Sequence, residues 1–245
     1  MTTQEFSDGF DVLYNNVMSN QAPGLDEYEK SFFLTKAQDE ILKNYFNPKG
    51  NKYQEGFDDN AKRQIDFSMV LKVGKATLIQ EDNTEIEYVK LDSDSIIYKL
   101  PSDIFIILNE RLKLNSRPIL VIPINHSEYD RYSMKPYPFP TKNTVWRILG
   151  YGKEDDSKIF IGEIIKSPEK TLSDSDDYTI RYVKQPDPII LSSITPASIN
   201  GKDDTTECEL DPILHQEILQ RAVELAKAAY VGDINSTVEM GKRSE

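Results

Sequence analysis

The sequence predicts an α+β protein: helices from the N- and C-terminal ends form one body, and an antiparallel or mixed β domain is inserted between them. Three observations predict it. Apolar residues recur every three or four positions near the N-terminus, they alternate with a period of two through the middle, and a helical period returns after Asp211-Pro212. The ranges are 1–72 and 208–232 for the helical body, 73–207 for the inserted β-rich domain, and 233–245 for a flexible C-terminal tail without apolar period.

Each element has its own signal. Thr2 and Glu5 have capping-box spacing, Phe6, Phe10, Leu13 and Val17 line one helix face, and Ala22-Pro23-Gly24 ends it. Asp26 and Glu29 offer a second capping box. The helix behind it carries Leu25, Tyr28, Phe32, Leu34, Ala37, Ile41 and Tyr45 on its apolar side and stops at Asn47-Pro48-Lys49-Gly50. Ala61, Ile65 and Met69 predict a third helix from Asp58 or Asp59 to about Lys72.

From Ala76 the period changes. Ile104, Ile106, Leu108, Leu112 and Leu114 alternate along one long strand, with Glu110 the odd member. Thr144, Trp146 and Ile148 alternate again before Gly150-Tyr151-Gly152 and an acidic turn at Glu154-Asp155-Asp156. Ile159–Ile165 and Tyr178, Ile180 and Tyr182 supply two further strands. Most strands lack a crossover helix between them, which favours an antiparallel or mixed sheet. One short helix interrupts the strands, capped by Asn125 with Glu128 and ended at Met134-Lys135-Pro136. In the last helix Asp211 caps, Pro212 takes the first helical position, and Leu214, Ile218, Ala222, Leu225 and Ala229 share a face up to Gly232.

Composition narrows the function. The chain has 245 residues, 38% apolar and 29% charged, enough for a core without staples. A single cysteine, Cys208, excludes an intramolecular disulfide and a multi-thiolate zinc site. The N-terminus lacks a signal-peptide pattern and no apolar run approaches the length of a membrane span, so a soluble protein made in the cytosol is expected. With 41 acidic residues against 29 basic ones, the formal charge is −12. Tight nucleic-acid binders need a basic footprint, so DNA is not expected as a gripped ligand.

Catalytic chemistry finds little support. His126, Glu128 and Asp130 suggest a metal cluster, but residues two apart on a helix diverge by about 200°, so the three cannot converge. His215 sits in the first turn of the last helix, whose dipole disfavours imidazolium. No nucleophile elbow, phosphate-binding loop or dinucleotide fingerprint occurs. Neither enzymatic activity nor a cofactor or metal is expected.

The segment from Tyr129 to Trp146 interleaves Pro136, Pro138 and Pro140 with aromatic residues and with Arg131, Lys135, Lys142 and Arg147. Tyr129, Arg131, Tyr132, Tyr137, Phe139, Trp146 and Arg147 are therefore candidates for a subunit or partner interface. The same composition also suits a proline-stiffened loop packed on its own sheet, or stacking on single-stranded nucleic acid.

Several segments, in order, resemble the connector or ring proteins of crAss-like phages: Gly24–Ser31, Ile124–Arg131, Val145–Leu149, Arg181–Leu191, and Glu209 through the Ala-rich helix to Tyr230. A more distant likeness, architectural only, is to the tail tubular protein A family of short-tailed phages, from which the long β region departs. The resemblance implies a virion structural subunit of the head-to-tail connector, made in the host cytoplasm. It implies a homo-oligomeric, typically dodecameric ring beneath the portal protein and beside neighbouring tail or ring proteins, with double-stranded DNA passing through without specific binding. A ring needs head-to-tail contact between two different surfaces of each subunit, and acidic side chains facing the channel would keep phosphates from sticking. The 233–245 tail is expected to order on a neighbour. The alternatives are a scaffold module that binds one partner without forming a ring, and an enzyme built on His126, Glu128 and Asp130.

Overall fold

Three helix starts in this chain are set by local side-chain caps. A computed structural model describes residues 1–17, 24–46, 65–79, 86–114, 117–134, 140–141, 143–155, 157–167 and 177–231. The helices are α1 (Thr3–Val17), α2 (Glu27–Phe46), α3 (His126–Ser133) and α4 (Pro212–Val231), with a 3-10 turn at Ser68–Val70. The strands are β1 (Leu71–Lys75), β2 (Thr77–Ile79), β3 (Ile86–Glu87), β4 (Ile96–Lys99), β5 (Ile104–Leu114), β6 (Arg117–Pro123), β7 (Thr144–Glu154), β8 (Ser157–Ile165) and β9 (Asp177–Lys184). The fold is α+β with one large mixed sheet. None of the described helices is long and apolar enough to cross a membrane.

The chain divides into two compact units, residues 1–70 with 186–245, and residues 71–185. In the first, both predicted capping boxes form. The Glu5 amide donates to Thr2 Oγ1 at 3.3 Å and the Thr2 amide to Glu5 Oε2 at 2.8 Å; Asp26 and Glu29 do the same at 2.7 and 3.0 Å. Helix α1 buries Phe6, Phe10 and Tyr14, and Phe6 packs on His215 of α4 at 5.2 Å between ring centres. Arg221 of α4 reaches Glu40 of α2 at 2.8 Å.

Helix α2 departs from its predicted face. Leu34, Ala37 and Ile41 are buried, but Tyr28 and Phe32 are exposed. Their expected place is taken by a polar stripe, Ser31, Thr35 and Gln38, which is buried because it binds backbone. Ser31 Oγ accepts from the Leu191 amide at 3.0 Å, Thr35 Oγ1 from the Ile189 amide at 3.1 Å, and Gln38 Nε2 donates to the Asp187 carbonyl at 2.9 Å. These bonds tie the segment after Pro186 to the helices, so the sheet-bearing unit ends at Gln185 rather than at 207.

The predicted third helix can be followed only at its C-terminal end, which comes at Asp66 rather than near Lys72. Residues 58–64 lie outside the described residues, only Ile65 and Asp66 are helical before the 3-10 turn, and Leu71 and Lys72 already belong to β1. The β period therefore begins five residues before Ala76.

Strands β1 and β2 are two halves of one strand broken only at Ala76. The first half pairs with β9 and the second with β4, at opposite ends of the sheet order β1-β9-β5-β6-β7-β8-β4-β2. One bent strand thus brings the sheet near to a closed barrel and leaves few free edges. Tyr98, Leu100, Leu112, Ile119, Val121, Val145, Ile164, Tyr178, Ile180 and Tyr182 fill the interior. All neighbours run antiparallel except β6 and β7, and those two are joined through α3, as a parallel pair requires.

Two irregularities adjust this wall. Register shifts in β5 between Ile104 and Ile106 and between Ile107 and Asn109 break the simple alternation: Ile104, Ile107 and Leu112 pack on the barrel core. In β7, Gly150 and Gly152 lie inside the strand. A Cβ on Gly152 would meet Ile161 Cδ1 at 2.5 Å and the Glu87 carbonyl oxygen at 3.1 Å, so glycine is what lets β3 approach.

Candidate interaction surface

The Tyr129–Arg147 segment is built on α3 and β7. Asn125 caps α3: its Oδ1 accepts from the Glu128 amide at 2.8 Å, and Glu128 Oε2 accepts from the Asn125 amide at 3.0 Å. The Glu128 carboxylate is thereby committed to the cap, while His126 and Asp130 are exposed. Among the described residues, no three His, Cys, Asp or Glu side chains converge as metal ligands would.

Strand β7 is covered on both faces. On one, Trp146 is buried beneath α3, with Tyr129 edge-on at 6.5 Å and Tyr132 tilted at 5.5 Å. Tyr129 is half-buried, and its hydroxyl donates to Asp92 Oδ2 at 3.2 Å. Burial, then the Asp92 charge, pushes that phenol up. Tyr132 carries Arg131 over its ring at 5.2 Å.

On the other face, Arg147 enters the barrel. Its Nε lies 2.9 and 3.1 Å from the two Glu110 oxygens, its second guanidinium nitrogen 2.9 Å from Oε2, and the Tyr178 hydroxyl donates to Oε1 at 2.7 Å. This is a bidentate, largely buried charge pair, and the Tyr178 hydroxyl adds one further donor to the carboxylate. Burial, then the Glu110 charge, raises the Tyr178 phenol far above its ordinary range.

Of the seven predicted interface residues, Arg131, Tyr129 and Tyr132 therefore offer surface. Trp146 and Arg147 are interior, which corrects their assignment: an aromatic–Arg composition serves a core when a carboxylate waits opposite. Tyr137 and Phe139 lie outside the described residues.

One buried group carries only a faint sequence signal. Glu163 on β8 is fully buried, and its carboxylate accepts from the Tyr88 hydroxyl at 2.8 Å, the Leu91 amide at 2.9 Å, the Asp92 amide at 3.2 Å and Ser95 Oγ at 2.5 Å. Four donors replace its water shell and fasten residues 88–95 to the barrel. Only the odd carboxylate inside Ile159–Ile165 marked the position.

Comparison with known proteins places the chain among bacteriophage ring proteins. More particularly, it belongs to the phage tail ring protein 3/4 family, which it matches over residues 1–238. It is 48% identical over 249 residues to the protein called ring protein 4/5 of Bacteroides phage crAss001, with 100% of both chains covered. It is 31% identical over 236 residues to ring protein 3 of the same phage, covering 92% of this chain and 95% of that one.

Proposed function

We propose that this chain is a non-enzymatic structural subunit that self-associates into a closed ring in the head-to-tail connector of a phage particle, between portal and tail, with DNA threading its centre. The full-length likeness to ring protein 4/5 carries this reading. In it, helices from both ends of the chain make the carrying body and the barrel is the inserted part. Buried polar groups such as Arg147 and Glu163 hold the subunit rigid, so that identical contacts repeat around the ring. The net charge of −12 suits a channel that must release phosphates rather than retain them.

Negative-stain images of the purified chain, alone and mixed with portal protein, test this. Closed rings of uniform diameter are the expected result. A monodisperse monomer that ignores portal overturns the reading and favours a scaffold module.

A further inference from the structure

We propose that the outer wall made by β1, β9 and β5 is the surface on which a second copy of this chain docks, through the acidic exposed face of that copy's α4. This inference rests on the ring reading and names the contact that would build the ring.

The argument begins with charge. Residues 71–185 carry 17 Lys and Arg against 18 Asp and Glu, a balance of −1. Residues 1–70 and 186–245 carry 12 against 23, a balance of −11. Nearly all the net negative charge belongs to the helix-bearing unit. Within the other unit, strand register then gathers cations on one exterior face. Val73, Arg181 and Asn109 form one cross-strand row; Lys75, Thr179, Arg111 and Leu120 the next; Asp177, Lys113 and Pro118 the third. Lys75 is taken by Asp177 at 2.7 Å. No described carboxylate lies within ion-pair distance of Arg111, Lys113 or Arg181, and the three border an open groove of about 370 Å³.

The face also holds apolar surface, Val73 at 70% and Leu120 at 63% exposure. Cations set among exposed apolar side chains match a protein interface rather than a phosphate track, and in this family setting the acidic protein at hand is another copy. Its α4 presents Ile213, Glu217, Gln220 and Glu224, spaced four, three and four apart and so on one face. Ile213 is 63% exposed and the Glu217 and Glu224 side chains face solvent. Arg221 bridges Glu224 and Glu40, leaving that group negative overall. A helix with one apolar and two acidic positions thus faces a sheet with two apolar and three basic ones. The two surfaces differ, so the contact is head-to-tail and adds copies in one rotational sense.

The test uses the full chain and two charge-reversed forms, Arg111→Glu with Arg181→Glu, and Glu217→Lys with Glu224→Lys. Sedimentation velocity and negative stain follow assembly, and circular dichroism confirms that each form folds. Each alone is expected to associate about 100-fold more weakly than the parent chain. Mixed in equal amounts, the two should assemble again, because every contact in an alternating ring then joins opposite charges. If either form misfolds, Arg111→Gln with Arg181→Gln keeps the measurement, with a smaller loss expected. A reversed form that assembles like the parent, or a mixture that does not recover, overturns the docking while parent rings leave the ring reading intact. A parent chain that never associates removes both. Loss of double-stranded DNA retention at low salt with unchanged assembly assigns the wall to nucleic acid instead and overturns the proposal.

Discussion

His215 shows how one buried side chain links stability to pH. Its Nε2 donates to the Leu210 carbonyl at 2.9 Å, and Nδ1 then accepts from the Met1 amino group at 2.7 Å, which requires the neutral ring. Burial pushes the imidazole below its ordinary 6.5; the Leu210 carbonyl opposes this, and the nearby amino charge reinforces it. A base whose folded pKa is depressed binds fewer protons folded than unfolded, so stability rises with pH across the window between the two values. His215 therefore contributes its full stability above about pH 6.5, and the contribution falls away as pH drops through the folded value. The melting temperature is expected to fall between pH 7.5 and 5, and His215→Gln, which keeps a donor to Leu210, should flatten that slope. A parallel fall in the variant would assign the acid sensitivity to other groups.

At the scale of elements, the Glu110–Arg147–Tyr178 group joins β5, β7 and β9 across the barrel interior. Removing one charge strands the other in a low-dielectric core. Arg147→Met is expected to cost about 3–5 kcal/mol in urea unfolding. Adding Glu110→Gln should restore part of that loss, since Gln still accepts from Tyr178 without carrying a charge. A double variant no more stable than Arg147→Met would show that packing, not the uncompensated carboxylate, sets the cost. The same group shows what a sequence reveals and what it hides. Capping at Thr2, Asp26 and Asn125, and the strands at Ile104, Thr144, Ile159 and Tyr178, depend on residues a few positions apart and are legible. The Arg147 partner lies 37 residues upstream on a strand whose two bulges reset its facing, and no local period encodes that. The polar stripe of α2 was hidden for the same reason: Ser31, Thr35 and Gln38 look like a solvent face until a chain segment 149 to 160 residues away supplies the backbone they bind. The burial of Trp146 beneath Tyr129 and Tyr132 could not be read from composition either.

At the scale of the whole molecule, the decisive property is that charge is not spread evenly along the chain. Were the −12 uniform, copies would repel wherever they met, and added salt would promote association by screening that repulsion. With −11 on one unit and −1 on the other, the latter bearing an exposed cationic wall, the proposed head-to-tail contact sets acidic helix against basic wall, whereas a side-matched contact sets like charges together. Screening then acts with the opposite sign. The Debye length shrinks from roughly 14 Å at 0.05 M salt to about 4 Å at 0.5 M, shorter than the span of the groove, so steering fades while short-range apolar contacts survive. Association followed by stopped-flow light scattering is expected to slow about tenfold or more across that range, with the dissociation rate changing less. The melting temperature of the subunit should move little, because the Glu110–Arg147 pair is enclosed and poorly screened. An association rate that rises with salt would mean that like charges dominate the encounter, and the assembled contact would have to be sought on the apolar surface around Tyr28 and Phe32 instead.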